Sequence, residues 1–160
     1  MALEEKISQD KISMPEKTIL ISPWLDVRLN NSEIDEVQKR DKELNKETLK
    51  LAGMAYAGID GINCYLVNPI DGDLSNLNNI TILTGTNDIL NPDVYVLQEK
   101  AKEANIEIHI KEYEKAGHIW FIEKNSGEEL TNRGYQDCLE TIKTREDKKC
   151  HNYLFRKENG

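Results

Sequence analysis

Long apolar runs, paired cysteines and basic clusters are all scarce in these 160 residues. Each shortage excludes a class of protein. No apolar stretch approaches the roughly 18 residues that a membrane-spanning helix needs. The cysteines, Cys64, Cys138 and Cys150, form no CxxC pair, and their odd number fits no closed set of disulfides. The opening residues, MALEEKISQDK, lack the apolar centre of a secretory leader. A reduced, cytoplasmic protein is the expectation. Positive charge is also short: the net charge is −8, which argues against nucleic acid or an anionic membrane surface as a partner. Only the tail, 143–160, is locally basic. There Lys143, Arg145, Lys148, Lys149, Arg156 and Lys157 outnumber Glu146, Asp147 and Glu158, and the stretch reads as a solvated end.

Cofactor and metal motifs are missing too. There is no G-x-G-x-x-G and no P-loop. His109, His118 and His151 are far apart, and Cys150 next to His151 is a bare adjacent pair without zinc-ligand spacing. The acid-rich GTNDILNPD lacks the repeated ligands and closing glutamate of a calcium loop. No cofactor and no metal are expected.

What is present is an alternation of short apolar runs and amphipathic stretches. Residues 18–22, TILIS, read as a strand buried on both faces and ended by Pro23. Two helices are expected at about 32–40 and 45–57. Ser32 would cap the first, which has few apolar residues and reads as a surface helix, and Gly58 would stop the second. A loop rich in Gly, Asn and Asp leads to a second buried strand at 80–84. NPDVYVLQEKAKEAN then reads as a helix capped by Asn91, with Pro92 at its first position and Val94, Leu97 and Ala101 inside. A half-buried strand at 106–113 follows, then a loop carrying His118. A last helix has Leu130, Tyr135, Cys138, Leu139 and Ile142 on its inner side. Strands alternating with helices imply an α/β fold with a parallel sheet.

In such sheets the reactive groups stand just beyond the carboxyl ends of the strands. Asp88 follows the second strand and His118 the third. A carboxylate that accepts from one imidazole nitrogen fixes the tautomer and leaves the other nitrogen able to take a proton from a nucleophile. The order acid before histidine is that of α/β-hydrolases. Spacing alone does not compel the pairing, because aspartates after strands are common and a lone loop histidine is ordinarily a solvent-exposed residue.

Three segments taken together say more. ILISPWLD, LTGTNDILNPD and KEYEKAGHIW resemble, in order and in spacing, segments of the α/β-hydrolase esterases and lipases of the hormone-sensitive-lipase type. The resemblance spans about residues 1–142 and leaves 143–160 as a tail. It implies the C-terminal portion of an α/β-hydrolase domain: a three-stranded parallel sheet with flanking helices and a helical insertion after the first strand. It also implies carboxylic-ester hydrolysis, with Asp88 as the acid and His118 as the base of a Ser-Asp-His triad. Residues 27–68 lie where the family walls the substrate site. Trp24 and Asp26 fall in a recognisable family stretch and are expected to be structural.

The family's nucleophile stands in Gly-x-Ser-x-Gly. None of Ser8, Ser13, Ser22, Ser32, Ser75 and Ser126 has glycine two positions away on both sides, nor does any cysteine. The glycine-rich oxyanion loop is also absent. MALEEKISQD is similar to the later part of the helix that follows the family's serine, so the expectation is a truncated, split or misassigned reading frame. Such a chain would be inactive unless the nucleophile is supplied, or would act as a binding or regulatory remnant. With an open sheet edge it should be marginally stable, or pair with a second copy or a complementing chain.

Overall fold

The structure is a computed structural model that describes residues 6–7, 10, 13–58, 61–75, 77–124 and 126–143. The basic tail from 144, with Cys150 and His151, lies outside the described residues, as does most of the stretch 1–10 expected to end a helix. Strand β1 (Thr18–Ile21) leads to helices α1 (Ile34–Gln38) and α2 (Lys46–Ala57) and a 3-10 turn (Pro69–Asp71). Strand β2 (Ile80–Gly85), helix α3 (Asn91–Glu103), strand β3 (Ile108–Tyr113), a short helix α4 (Trp120–Glu123) and helix α5 (Glu128–Ile142) follow.

The three described strands form one parallel sheet in the order β1-β2-β3. Thr18 aligns with Ile80, and Ile80 with Ile108. The central strand β2 is buried at every residue. On one face Ile80 and Ile82 pack with Val94, Leu97 and Ala101 of α3. On the other, Leu83 packs with Tyr113, Trp120 and Phe121. A third cluster, Leu29, Ile34, Val37, Ile89 and Leu90, lies where the β1–α1 and β2–α3 connections meet.

Several expectations are corrected. β1 is only half-buried along its length, because among the described residues it pairs with β2 alone and stands at a sheet edge. Helix α1 is not merely superficial: Ile34 and Val37 are buried, and Asp35 and Glu36 face water. Ser32 does not cap it, since Glu33 takes that position without a side-chain cap and the Glu33 N–H donates instead to Asn31 Oδ1. Asn91 lies inside α3 rather than capping it. Its side-chain amide donates to Thr84 Oγ1 and Glu112 Oε1, tying the helix to β2 and β3. In α5 the packed stripe is Leu130, Thr131, Gly134 and Cys138, while Tyr135, Leu139 and Ile142 are exposed. The latter three share an adjoining stripe, one residue or about 100° round the helix. Helix α4 occupies part of what reads in sequence as loop.

Candidate active site

The site is assembled by two loops at the carboxyl end of the sheet. β2 ends at Gly85, where a Cβ would lie 2.2 Å from the Ala116 carbonyl oxygen. Only glycine lets the loop after β3 cross there. The crossing is sewn down by main-chain bonds. Thr86 N–H donates to Tyr113 O and Asn87 N–H to Ala116 O. Lys115 N–H donates back to Thr86 Oγ1 at 2.8 Å. Lys115 and Ile119 both hold positive φ, 64° and 40°, a backbone state that residues with side chains adopt only when their surroundings enforce it. Here the surroundings are visible: the Ile119 N–H donates to Ser22 Oγ at 3.1 Å. The loop therefore leaves β3, passes over the end of β2 and is anchored at the end of β1.

That path brings His118 onto Asp88. His118 Nδ1 lies 3.0 Å from Asp88 Oδ2. With the proton on Nδ1 the ring donates to the carboxylate, and Nε2 keeps its lone pair. Asp88 is fully buried and accepts the Leu90 N–H at 2.9 Å on its other oxygen, Oδ1. Its carboxylate is thus held from two sides, and the side chain of His118 keeps 24% of its surface. Asp88 is buried and hydrogen-bonded on both oxygens, and His118 remains reachable from solvent.

The protonation balance of the ring follows from its neighbours. Burial pulls the His118 midpoint down. The hydrogen bond to Asp88, the Asp88 charge and the nearby carboxylates of Asp41 and Glu43 more than offset this and leave it raised above the ordinary 6.5. The carboxyl of Glu43 is itself pushed up, by burial first and then by Asp41 and Glu123, against a hydrogen bond from the His118 main chain. Beside the base loop a cleft is lined by Arg40, Glu43, Asn87, Lys115, Gly117 and Ser126.

Both residues singled out in the sequence are here, and they are in contact. Trp24 and Asp26 form a local scaffold on the β1–α1 connection. The Trp24 indole donates to Asp26 O, and the Asp26 carboxylate holds the Arg28 guanidinium, which also reaches Asp71. Sequence reasoning passed over Ser22, Asp41 and Glu43. The turn role of Asp41 had a readable signal, because an aspartate two and three residues before amide donors forms an Asx turn. Its oxygen Oδ1 does accept from Glu43 N and Leu44 N. Nothing local points to the long-range partners of the three residues. Among the described residues no group of three or more His, Cys, Asp or Glu could hold a metal ion, and no helix is long and apolar enough to cross a membrane.

Comparison with known proteins bears on the family and the fold. Residues 1–122 match the family model of the alpha/beta hydrolase fold. The chain is 33% identical over 115 residues to an esterase of Acinetobacter venetianus, covering 71% of this chain and 38% of that protein. It is 26% identical over 109 residues to an acetyl-hydrolase of Streptomyces hygroscopicus, covering 67% of this chain and 36% of that protein. Among solved structures, a hormone-sensitive lipase from a metagenome library superposes with a TM-score of 0.82 at 23% identity, over 88% of this chain and 48% of that one. An esterase of the bacterial hormone-sensitive lipase family superposes at 0.77 with 20% identity, over 82% and 44%. The chain thus spans about half the length of these solved relatives, and less of the curated ones. The match of residues 1–122 to the family model, with the shared fold, leads to one conclusion: this chain belongs to the α/β-hydrolase fold family.

Proposed function

We propose that this chain supplies the acid and the base of a carboxylic-ester hydrolase, and that the serine they serve lies outside its 160 residues. The observation that carries the reading is the 3.0 Å contact between His118 Nδ1 and the buried Asp88 Oδ2. In the reaction, Nε2 takes the proton from a serine hydroxyl as its oxygen bonds to the acyl carbon. The imidazolium that results is stabilised by Asp88 and then gives the proton to the leaving alkoxide. Water repeats the cycle to free the acid. No cofactor or metal enters these steps. The helices of 27–68 would wall the substrate on one side, and a complementing polypeptide meeting the β1 edge would bring the nucleophile and the oxyanion donors.

A second reading is favoured by one fact: no serine or cysteine of the chain stands in Gly-x-Ser-x-Gly. If no nucleophile is supplied, the chain is a hydrolase fold without hydrolysis and acts, if at all, by binding. Initial rates on a short-chain aryl ester separate the two. The chain alone should hydrolyse it at close to the buffer rate, because the oxyanion donors are usually the largest catalytic contribution. Joined in one polypeptide to the first part of the Acinetobacter venetianus esterase, it should turn the ester over well above either piece. A joined protein that folds yet stays at the buffer rate would favour the binding reading.

A further inference from the structure

The connection between α1 and α2 touches both loops of the site, and does so with carboxylates. Asp41 Oδ2 accepts the N–H of Ile89, the residue next to Asp88, at 2.9 Å. Its other oxygen closes the turn by accepting Glu43 N and Leu44 N, each at 2.9 Å. Glu43, held at a fixed place by that turn, lies against the base loop. Its carboxylate takes a hydrogen bond from the His118 main chain. Its Oε1 sits where a Cβ on Gly117 would come within 2.7 Å. The connection is itself rigid. Gln38 donates to Leu44 O at 2.9 Å and accepts from Lys46 N at 2.6 Å, spanning the turn.

From this we infer that Asp41 and Glu43 are positioning residues for the Asp88–His118 pair: one carboxylate holds the acid loop through the Ile89 amide, the other holds the base loop through the His118 amide. The inference rests on the proposed role of that pair and deepens it. The two loops come from different strands, and the bonds their main-chain amides make to each other join Thr86 to Lys115 and Asn87 to Ala116, while at Asp88 and His118 the loops meet only through the side chains. Asp41 and Glu43 act at those last positions. They also surround the ring with negative charge in addition to Asp88, which favours the imidazolium that forms as the serine proton is taken up. The charged groups facing the ring and its brace are Asp88, Asp41 and Glu43, with Glu123 beside Glu43 and the cations Arg40, Lys42 and Lys115 along the same cleft.

The test uses the unaltered chain and needs no turnover. The imidazole of His118 is titrated by NMR in the full chain, in Asp41→Asn and in Glu43→Gln. Its signals are identified by their loss in His118→Ala. Both replacements keep side-chain size at positions that are at most partly buried, and Asp41→Asn also leaves one acceptor fewer for the Ile89, Glu43 and Leu44 amides. Each should lower the His118 midpoint, and the double variant should lower it furthest. Amide hydrogen exchange supplies a second readout, of the main-chain hydrogen bonds themselves, with the charge-removing Asn and Gln variants as the reference for the effect of charge. Asp41→Ala should speed exchange at Ile89, and Glu43→Ala should speed it at His118. Gly117→Ala should act like Glu43→Ala, by displacing the carboxylate. An unchanged midpoint in both charge-removing variants, or unchanged exchange at both amides, overturns the inference. Either result leaves the acid–base role of Asp88 and His118 standing. That role fails only on loss of the His118 requirement in ester hydrolysis.

Discussion

At the scale of single residues, two aspartates near the start of α3 have opposite settings. Asp88 has a donor for each oxygen, Leu90 N–H on Oδ1 and His118 on Oδ2. Asp93 is also buried, but among the described residues only its Oδ1 is served, by the Asn31 amide at 3.0 Å, and its Oδ2 has no hydrogen-bond partner. Burial pushes the Asp93 carboxyl up to about 6 from its ordinary 3.8, against the Asn31 hydrogen bond that lowers it. An acid whose midpoint is raised in the folded state favours folding below its ordinary value. That contribution is lost as pH climbs through the folded value. Asp93 therefore weighs against the fold increasingly between pH 3.8 and about 6, and fully at neutral pH. Replacing it by asparagine should raise the melting temperature at pH 7.5 relative to the unaltered chain. The difference should be worth up to roughly 3 kcal/mol and should shrink at pH 4. Thermal unfolding at both values checks this, and an equal effect at the two would contradict it.

At the scale of elements, the site depends on one close crossing. The loop after β3 reaches β1 only because Gly85 has no side chain to meet Ala116 O. Gly85→Ala should force that loop off the end of β2. Overpacking of this kind costs about 1–3 kcal/mol, and the Asp88–His118 contact should lengthen with it. A lower melting temperature, together with a His118 titration displaced toward that of an unpartnered histidine, is the expected result. A variant unchanged in both would mean that the crossing is not what places the base. These elements were legible in sequence where one period ruled. Val94, Leu97 and Ala101 mark the inner stripe of α3, and the run at 80–84 marks the all-buried β2. Sequence misled where chemistry had two uses. Asn91 suits a cap, yet it bridges Thr84 and Glu112, because the chain enters the helix one residue earlier. β1 has the composition of a central strand but is half-buried here. Asp88 and His118 were suggested as a pair by their places after neighbouring parallel strands, and singled out only by the resemblance of the segments around them. Ser22, Asp41 and Glu43 were not, because their roles lie in contacts to loops 97, 48 and 75 positions away.

At the scale of the whole molecule, Asp88 and His118 stand together on a sheet whose β1 edge is open among the described residues, in a chain that spans about half the length of its solved relatives. The proposed role requires that this half be sufficient to place a working base. The most direct test is the rate of aryl-ester hydrolysis by the polypeptide that joins the first part of the Acinetobacter venetianus esterase to this chain, measured with and without His118→Ala. The replacement should lower kcat/KM by about 10²–10⁴-fold while the protein still folds. The same rate with histidine or alanine at that position would contradict the proposed role and leave the contact with Asp88 a structural one.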